Sequence, residues 1–539
     1  MKKLPIRLLA LLLALAVLLT GCADVDEYVR LLRTYITGSV PVVRFDDMEY
    51  TRPDTAAFLD YHAKCLELAR SGEDFEALEE NIWLLYDEYY DFSTQYALAD
   101  IRFSQDMTDL YWEEEYAFCL EASAEVDAGM DQLFYVLAES EFREELERED
   151  LFGPGFFDAY SGESVWDETF TELMDQENTL ISAYYDLSLE LMQTEYGTME
   201  YNAAAMELVN LYTRLIAVRQ EQATHSGYAN YRNFAYEFYY GRDYTPEQEE
   251  AYLARIREEL VPLYRKVCTE GVDGIDYSTV TEAETFDYVE EAARSMGGMV
   301  EESFDVMRKG RLYDISYGEN KYEASFEVFL LNYYEPFIFM NPMGDSYDKL
   351  TFAHEFGHFC NDYASWGSML SIDGAEVFSQ GMEYLSLQYV EGTEGLAKLK
   401  MMDSLCTYVE QAAYAAFEQE VYMLYGSQLT AENIIELYVD VTNAYGFDIW
   451  EPDETGFVTV PHFFTNPMYV FSYVVSNDAA MQLYQMEQAE PGAGLKVFED
   501  NLASAEYGFL GFLASAGLES PFDEGRLEMV KETFEEILQ

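Results

Sequence analysis

Between Thr351 and Tyr363 the chain reads TFAHEFGHFCNDY, which sets His354, Glu355 and His358 in the spacing H-E-x-x-H. Residues four apart on a helix share a face, so both imidazoles can point a nitrogen at one zinc ion while Glu355 lies beside them as a base. The chemistry of such a set is hydrolysis: the ion makes a bound water acidic, Glu355 takes its proton, and a peptide carbonyl is attacked. A catalytic zinc site normally takes three protein ligands. Glu376 follows His358 by eighteen residues, and Glu383 lies seven further on, two turns along the same face. Either could reach the ion; the pattern favours Glu376 as ligand, with Glu383 or Asp373 turned to the back of a histidine. A tetrahedral intermediate also needs donors for its oxyanion, and TVPHFFTNPMYVFSYVVSNDAA at 459–480 offers His462, Tyr469 and Tyr473 in an otherwise apolar stretch.

These groups need elements to carry them. Residues 311–341 combine alternating and continuous apolar runs rich in aromatic residues, and they read as a small antiparallel sheet. Its last strand leads through Pro342 to Asp345 into the H-E-x-x-H helix, which Asp345 and Asp348 are spaced to start. An exposed strand beside a metal is a template for an extended peptide, pairing with its main chain and holding the scissile carbonyl in place. Upstream, apolar residues recur every three or four positions with few Gly or Pro breaks, apart from Gly-Pro-Gly at 153–155, so residues 51–200 form an N-terminal helical lobe. Residues 201–539 form the catalytic region. The expected fold is mainly α, with two helical lobes around a deep cleft.

The remaining histidines belong to structure, His62 within an early helix and His225 at a helix C-terminus, where the dipole favours a cation. Cys65, Cys119, Cys268, Cys360 and Cys406 are widely spaced and make no C-x-x-C pair, and Cys360 lies off the histidine face. With 103 acidic against 31 basic residues the net charge is −72, which repels nucleic acid and anionic lipid but does not choose a substrate. The first residues, MKKLPIRLLALLLALAVLLTGC, place Lys2, Lys3 and Arg7 before an apolar run and read as an export signal over 1–21. The ending Leu19-Thr20-Gly21-Cys22 resembles a bacterial lipobox. Cys22 would then carry lipid, and 22–50 would tether an extracytoplasmic domain to the membrane.

The stretches EPFIFMNPMGDSYDKLTFAHEFGH, EVFSQGMEY and VPHFFTNPMYVFSY, with MEYTRPD near the start and HSGYANYRNFAYEF in the middle, resemble in order and spacing the oligoendopeptidase F branch of the thimet oligopeptidase family of zinc peptidases. The resemblance implies one zinc ion held by His354, His358 and Glu376, and a supporting role for Glu383. It also implies transition-state stabilisation by His462 with Tyr469 and Tyr473. Two departures stand out: Phe471 occupies a position where relatives often carry Tyr, and KYEASFEVFLL lacks the paired glycines that usually precede the strand. The expected activity is zinc-dependent cleavage inside short or unfolded peptides. The rivals are a zinc carboxypeptidase and a peptide-binding lipoprotein without turnover.

Overall fold

A computed structural model describes residues 42–538, apart from 149, 150, 154, 161–166, 368, 369, 452, 505 and 507. The leader, Cys22 and most of the tether lie outside the described residues. The described chain is mainly helical. Its first long helices are Thr55–Ser71 (α1), Phe75–Gln105 (α2) and Leu110–Ala138 (α3), each opened by an aspartate, Asp54, Asp74 or Asp109, whose side chain accepts a main-chain N–H of the first turn. They enclose an apolar core that includes Phe58, Leu78, Ile82, Leu85, Val126, Leu133 and Phe157.

A second and much larger core takes in most of the other described elements. Helix α2 joins the two. It runs for 31 residues, about 46 Å, with Leu85 and Phe92 in the first core and Leu98 and Ile101 in the second. Helices Glu168–Met192 (α4) and Met199–His225 (α5) pack against each other, and His225, at the end of α5, lies 2.9 Å from Asp167, the N-cap of α4.

The sheet has three strands, Tyr313–Asp314 (β1), Ser325–Leu330 (β2) and Glu335–Met340 (β3), in the order β1-β3-β2. It is mixed, not antiparallel as the sequence suggests: β2 pairs antiparallel with β3, but β1 pairs parallel with it, Tyr313 opposite Ile338. The reason lies in the connection. β1 and β3 are separated by all of β2, so the chain has room to cross back before β3 enters the middle. β3 is buried along its whole length, as its continuous apolar run requires, and β2 is the half-buried outer strand. Helix α2 runs beside β2, tied at both ends by Tyr322 N–H to Ser104 O (2.9 Å) and Asn332 N–H to Thr94 Oγ1 (2.9 Å).

From β3 the chain enters Tyr347–Ser365 (α6) as expected. Asp348 accepts the N–H groups of Met343 (2.9 Å) and Gly344 (2.8 Å), and Asp345 accepts that of Tyr347 (2.8 Å), which fixes the angle between strand and helix. Ile372–Tyr389 (α7) then packs across α6. The two meet at Gly357, where an added Cβ would lie 2.3 Å from Phe378 O and 2.6 Å from Ser379 Cα. Any side chain there would force the helices apart. Helices Glu394–Val421 (α8), Pro461–Thr465 (α9) and Phe471–Ala489 (α10) complete the surroundings of the site.

Candidate metal centre and its donors

Helix α6 puts His354 and His358 one turn apart with ring centroids 5.1 Å from each other. Glu376 enters from α7: one carboxylate oxygen lies 3.6 Å from His354 Nε2 and the other 3.9 Å from His358 Nε2. The ligating atoms of the three residues lie within 4.8 Å of one another. The two imidazole–carboxylate distances are too long for hydrogen bonds and close to the ~3.4 Å separation of donors held at 2.0–2.1 Å around a tetrahedral ion. The three groups converge on a common centre without bonding one another, and two neutral imidazoles with a carboxylate are the donor set that suits zinc.

Glu376 and Glu383 occupy opposite sides of His354. Glu383 sits behind the ring, its Oε1 2.9 Å from Nδ1, so Nδ1–H donates to the carboxylate and Nε2 is left to face Glu376. The other oxygen of Glu383 is 2.8 Å from Lys400 Nζ on α8, and Tyr347 O–H donates to Asp403 (3.0 Å) beside it. Asp373, the alternative support, is turned elsewhere: it accepts from Tyr244 O–H (2.8 Å) and lies 3.5 Å from Arg242 Nε. Cys360 is fully buried and takes no part in the donor group.

Burial and charge set the protonation of these groups. Burial lowers His358 to about 4, leaving a neutral ring at physiological pH. Burial also opposes a charge on His354, but the hydrogen bond to Glu383 and the carboxylate of Glu376 outweigh it and raise this group to about 9 in the metal-free protein. Burial works against ionisation of Glu383 as well, yet Lys400 and His354 hold its carboxyl below the usual range. Three carboxyl groups, Glu355, Glu376 and Glu383, share this region with Lys400 and the His354 imidazole, and a divalent cation would take the place of the His354 proton. Burial pushes Glu355 up to about 7, so this carboxyl exchanges its proton near neutrality.

The donor stretch closes the site from the other side. Tyr469 O–H points at Glu376 Oε1 (3.5 Å), and Tyr473 O–H lies 3.4 Å from His462 Nε2. The His462 and Tyr469 rings stack at 5.0 Å, with Tyr473 edge-on to both. Burial, and then the charge of Glu376, raises the hydroxyls of Tyr469 and Tyr473, so both remain protonated donors. Phe471 is not one of this group. It is buried against Tyr244, Tyr252 and Phe522.

Sequence reasoning missed Lys400 and Ser379. Ser379, one turn after Glu376, places its hydroxyl 3.0 Å from Glu376 Oε2 and steadies that carboxylate. The run LAKLKMMDSL carries two lysines, and only the structure separates the buried Lys400 from the half-buried Lys398.

Residues 45–161 match the Peptidase M3 N-terminal domain. No curated protein matches the chain in sequence. Among solved structures, PZ peptidase A with a bound inhibitor is 20% identical, covering 92% of this chain and 99% of that one, with a TM-score of 0.77. A candidate oligoendopeptidase F from Bacillus anthracis is 21% identical, with coverage of 92% and 98% and a TM-score of 0.75. A carboxypeptidase from Pyrococcus furiosus is more distant, at 13% identity, coverage of 90% and 100%, and a TM-score of 0.53. The chain carries a Peptidase M3 N-terminal domain and, as a whole, has the fold of the oligoendopeptidase F structures.

Proposed function

We propose that this protein is a zinc-dependent endopeptidase acting on short or unfolded peptides. The observation that carries the reading is the convergence of His354, His358 and Glu376 with Glu355 on the same helix as the two histidines. Zinc held by the three ligands would supply Lewis-acid activation of water and polarisation of the scissile carbonyl. Glu355 takes a proton from the attacking water and delivers it to the leaving nitrogen, a task suited to a carboxyl near 7. Glu383, held ionised by Lys400, fixes the tautomer and tilt of His354. Tyr469, Tyr473 and His462 present donors to the developing oxyanion, where preorganised hydrogen bonds act most strongly. The outer strand β2 offers its main chain to an extended peptide.

Lys400, buried and paired with Glu383, is committed to the support of His354. The test is incubation of the mature domain with quenched-fluorescent peptides, with and without chelator, beside Glu355→Gln, followed by mass spectrometry of the products. Internal cleavage that chelator and the substitution both abolish is expected. Trimming of single C-terminal residues would favour the carboxypeptidase, and binding without cleavage by zinc-loaded wild type would favour a peptide-binding protein. The same proposal includes lipid on Cys22 and anchoring outside the cytoplasmic membrane. The leader sequence supports this, and membrane association that survives Cys22→Ala would refute it.

A further inference from the structure

The donor side of the site has a mechanical problem that the metal side does not. His462 rides on α9, which has five residues, too few for a helix to hold itself in place. Tyr469 follows on irregular backbone in which Met468 adopts φ +67°, a left-handed conformation that a residue with a side chain enters at a cost. Something outside the segment must fix it.

Two buried ionisable residues reach it from behind. Arg219 of α5, with 0% of its side chain exposed, donates from Nη1 to Phe463 O (2.9 Å) and from Nη2 to Phe464 O, the carbonyls directly after His462. Its charge is met by Glu177 of α4 (2.7 Å), which also accepts from Gln222 (2.7 Å), and Nη1 donates in addition to Tyr422 O–H (3.0 Å). One turn before Tyr422, the fully buried Glu418 accepts the N–H of Met468 (2.8 Å), and Tyr240 O–H donates to Pro467 O (2.8 Å). Burying an arginine and a carboxyl is costly, and leucine or methionine would pack α5 and α8 at least as well. What those residues would not do is bond the main chain of 463–468. Burial pushes Glu418 up to about 8, so a neutral amide is a close mimic of it.

We propose that Arg219 and Glu418 are positioning residues, which clamp the backbone on either side of Thr465–Pro467 so that His462 and Tyr469 face Glu376. The inference rests on the endopeptidase reading. It goes beyond that reading in assigning part of the catalytic rate to two residues that bond only the segment and its supports.

In the full chain, Arg219→Met and Glu418→Leu are expected to lower kcat about 10²-fold, as a misplacement near 1 Å can, with KM and bound zinc little changed. Glu418→Gln keeps an acceptor for Met468 N–H and recovers most of the rate. In a His462→Ala/Tyr469→Phe background, adding Arg219→Met costs less than about 3-fold, because the groups it positions are gone. An undiminished loss in that background, or Glu418→Gln as poor as Glu418→Leu, would overturn the proposal. If Arg219→Met does not fold, the Glu418 pair carries the test. The imidazole resonances of His462, identified by their absence in His462→Ala, give a readout independent of turnover. They should move in Glu418→Leu and not in Glu418→Gln. Unmoved resonances would defeat the clamp even in an active enzyme, whereas moved resonances in an inactive wild type would defeat only the endopeptidase reading.

Discussion

The two walls of the site are built on opposite principles. On the α6–α7 wall, the histidines are fixed by helical spacing, Glu376 by a close helix crossing at Gly357, and His354 by the buried Glu383–Lys400 pair. Each chemical group is held by neighbours on its own or the adjoining regular helix. On the donor wall, His462 and Tyr469 sit on one turn of helix and a left-handed residue, and their bearing comes from α5 and α8, more than two hundred and some fifty residues away in sequence. The first wall is rigid because it is regular. The second is rigid only while long-range bonds hold.

Five substitutions test this difference between the walls. The largest effect should come from Glu376→Gln, which removes a charged ligand: zinc binding and peptide cleavage should both disappear, as read by metal analysis and fluorogenic assay. Tyr469→Phe comes next, with kcat falling about 10²–10³-fold while zinc stays bound. The same substitution at Tyr473 should cost less, since its hydroxyl lies nearer His462 than Glu376. Lys400→Met leaves Glu383 buried without its counter-charge, so zinc affinity should fall about 10- to 100-fold in a competition titration. Gly357→Ala is read on stability: overpacking of the α6–α7 crossing costs about 1–3 kcal/mol and lowers the melting temperature, and zinc affinity should fall with it as Glu376 is displaced from the histidines. A Gly357→Ala protein as stable as wild type would show that the crossing yields.

The first wall was legible in the chain because its information is local. The H-E-x-x-H spacing, the helix-start aspartates Asp345 and Asp348, and the interval from Glu376 to Glu383 all report faces of single helices. The helical class was legible for the same reason. The order of the strands was not: nothing local tells β1 that its partner is β3 and that it runs parallel. Nor was the choice between Asp373 and Glu383 behind His354, since both lie on α7 and only the placement of Arg242, Tyr244 and Lys400 decides which faces the ring. Arg219 reads as a polar break in an apolar helix until the chain returns with Phe463 and Phe464.

On the proposed reading, one wall binds the metal and the other serves the transition state. It is tested most directly by measuring zinc stoichiometry and cleavage together for His462→Ala. One zinc per chain, bound as in wild type, with kcat reduced by about 10²-fold or more, is expected. Loss of zinc alongside activity, or wild-type turnover, would contradict it.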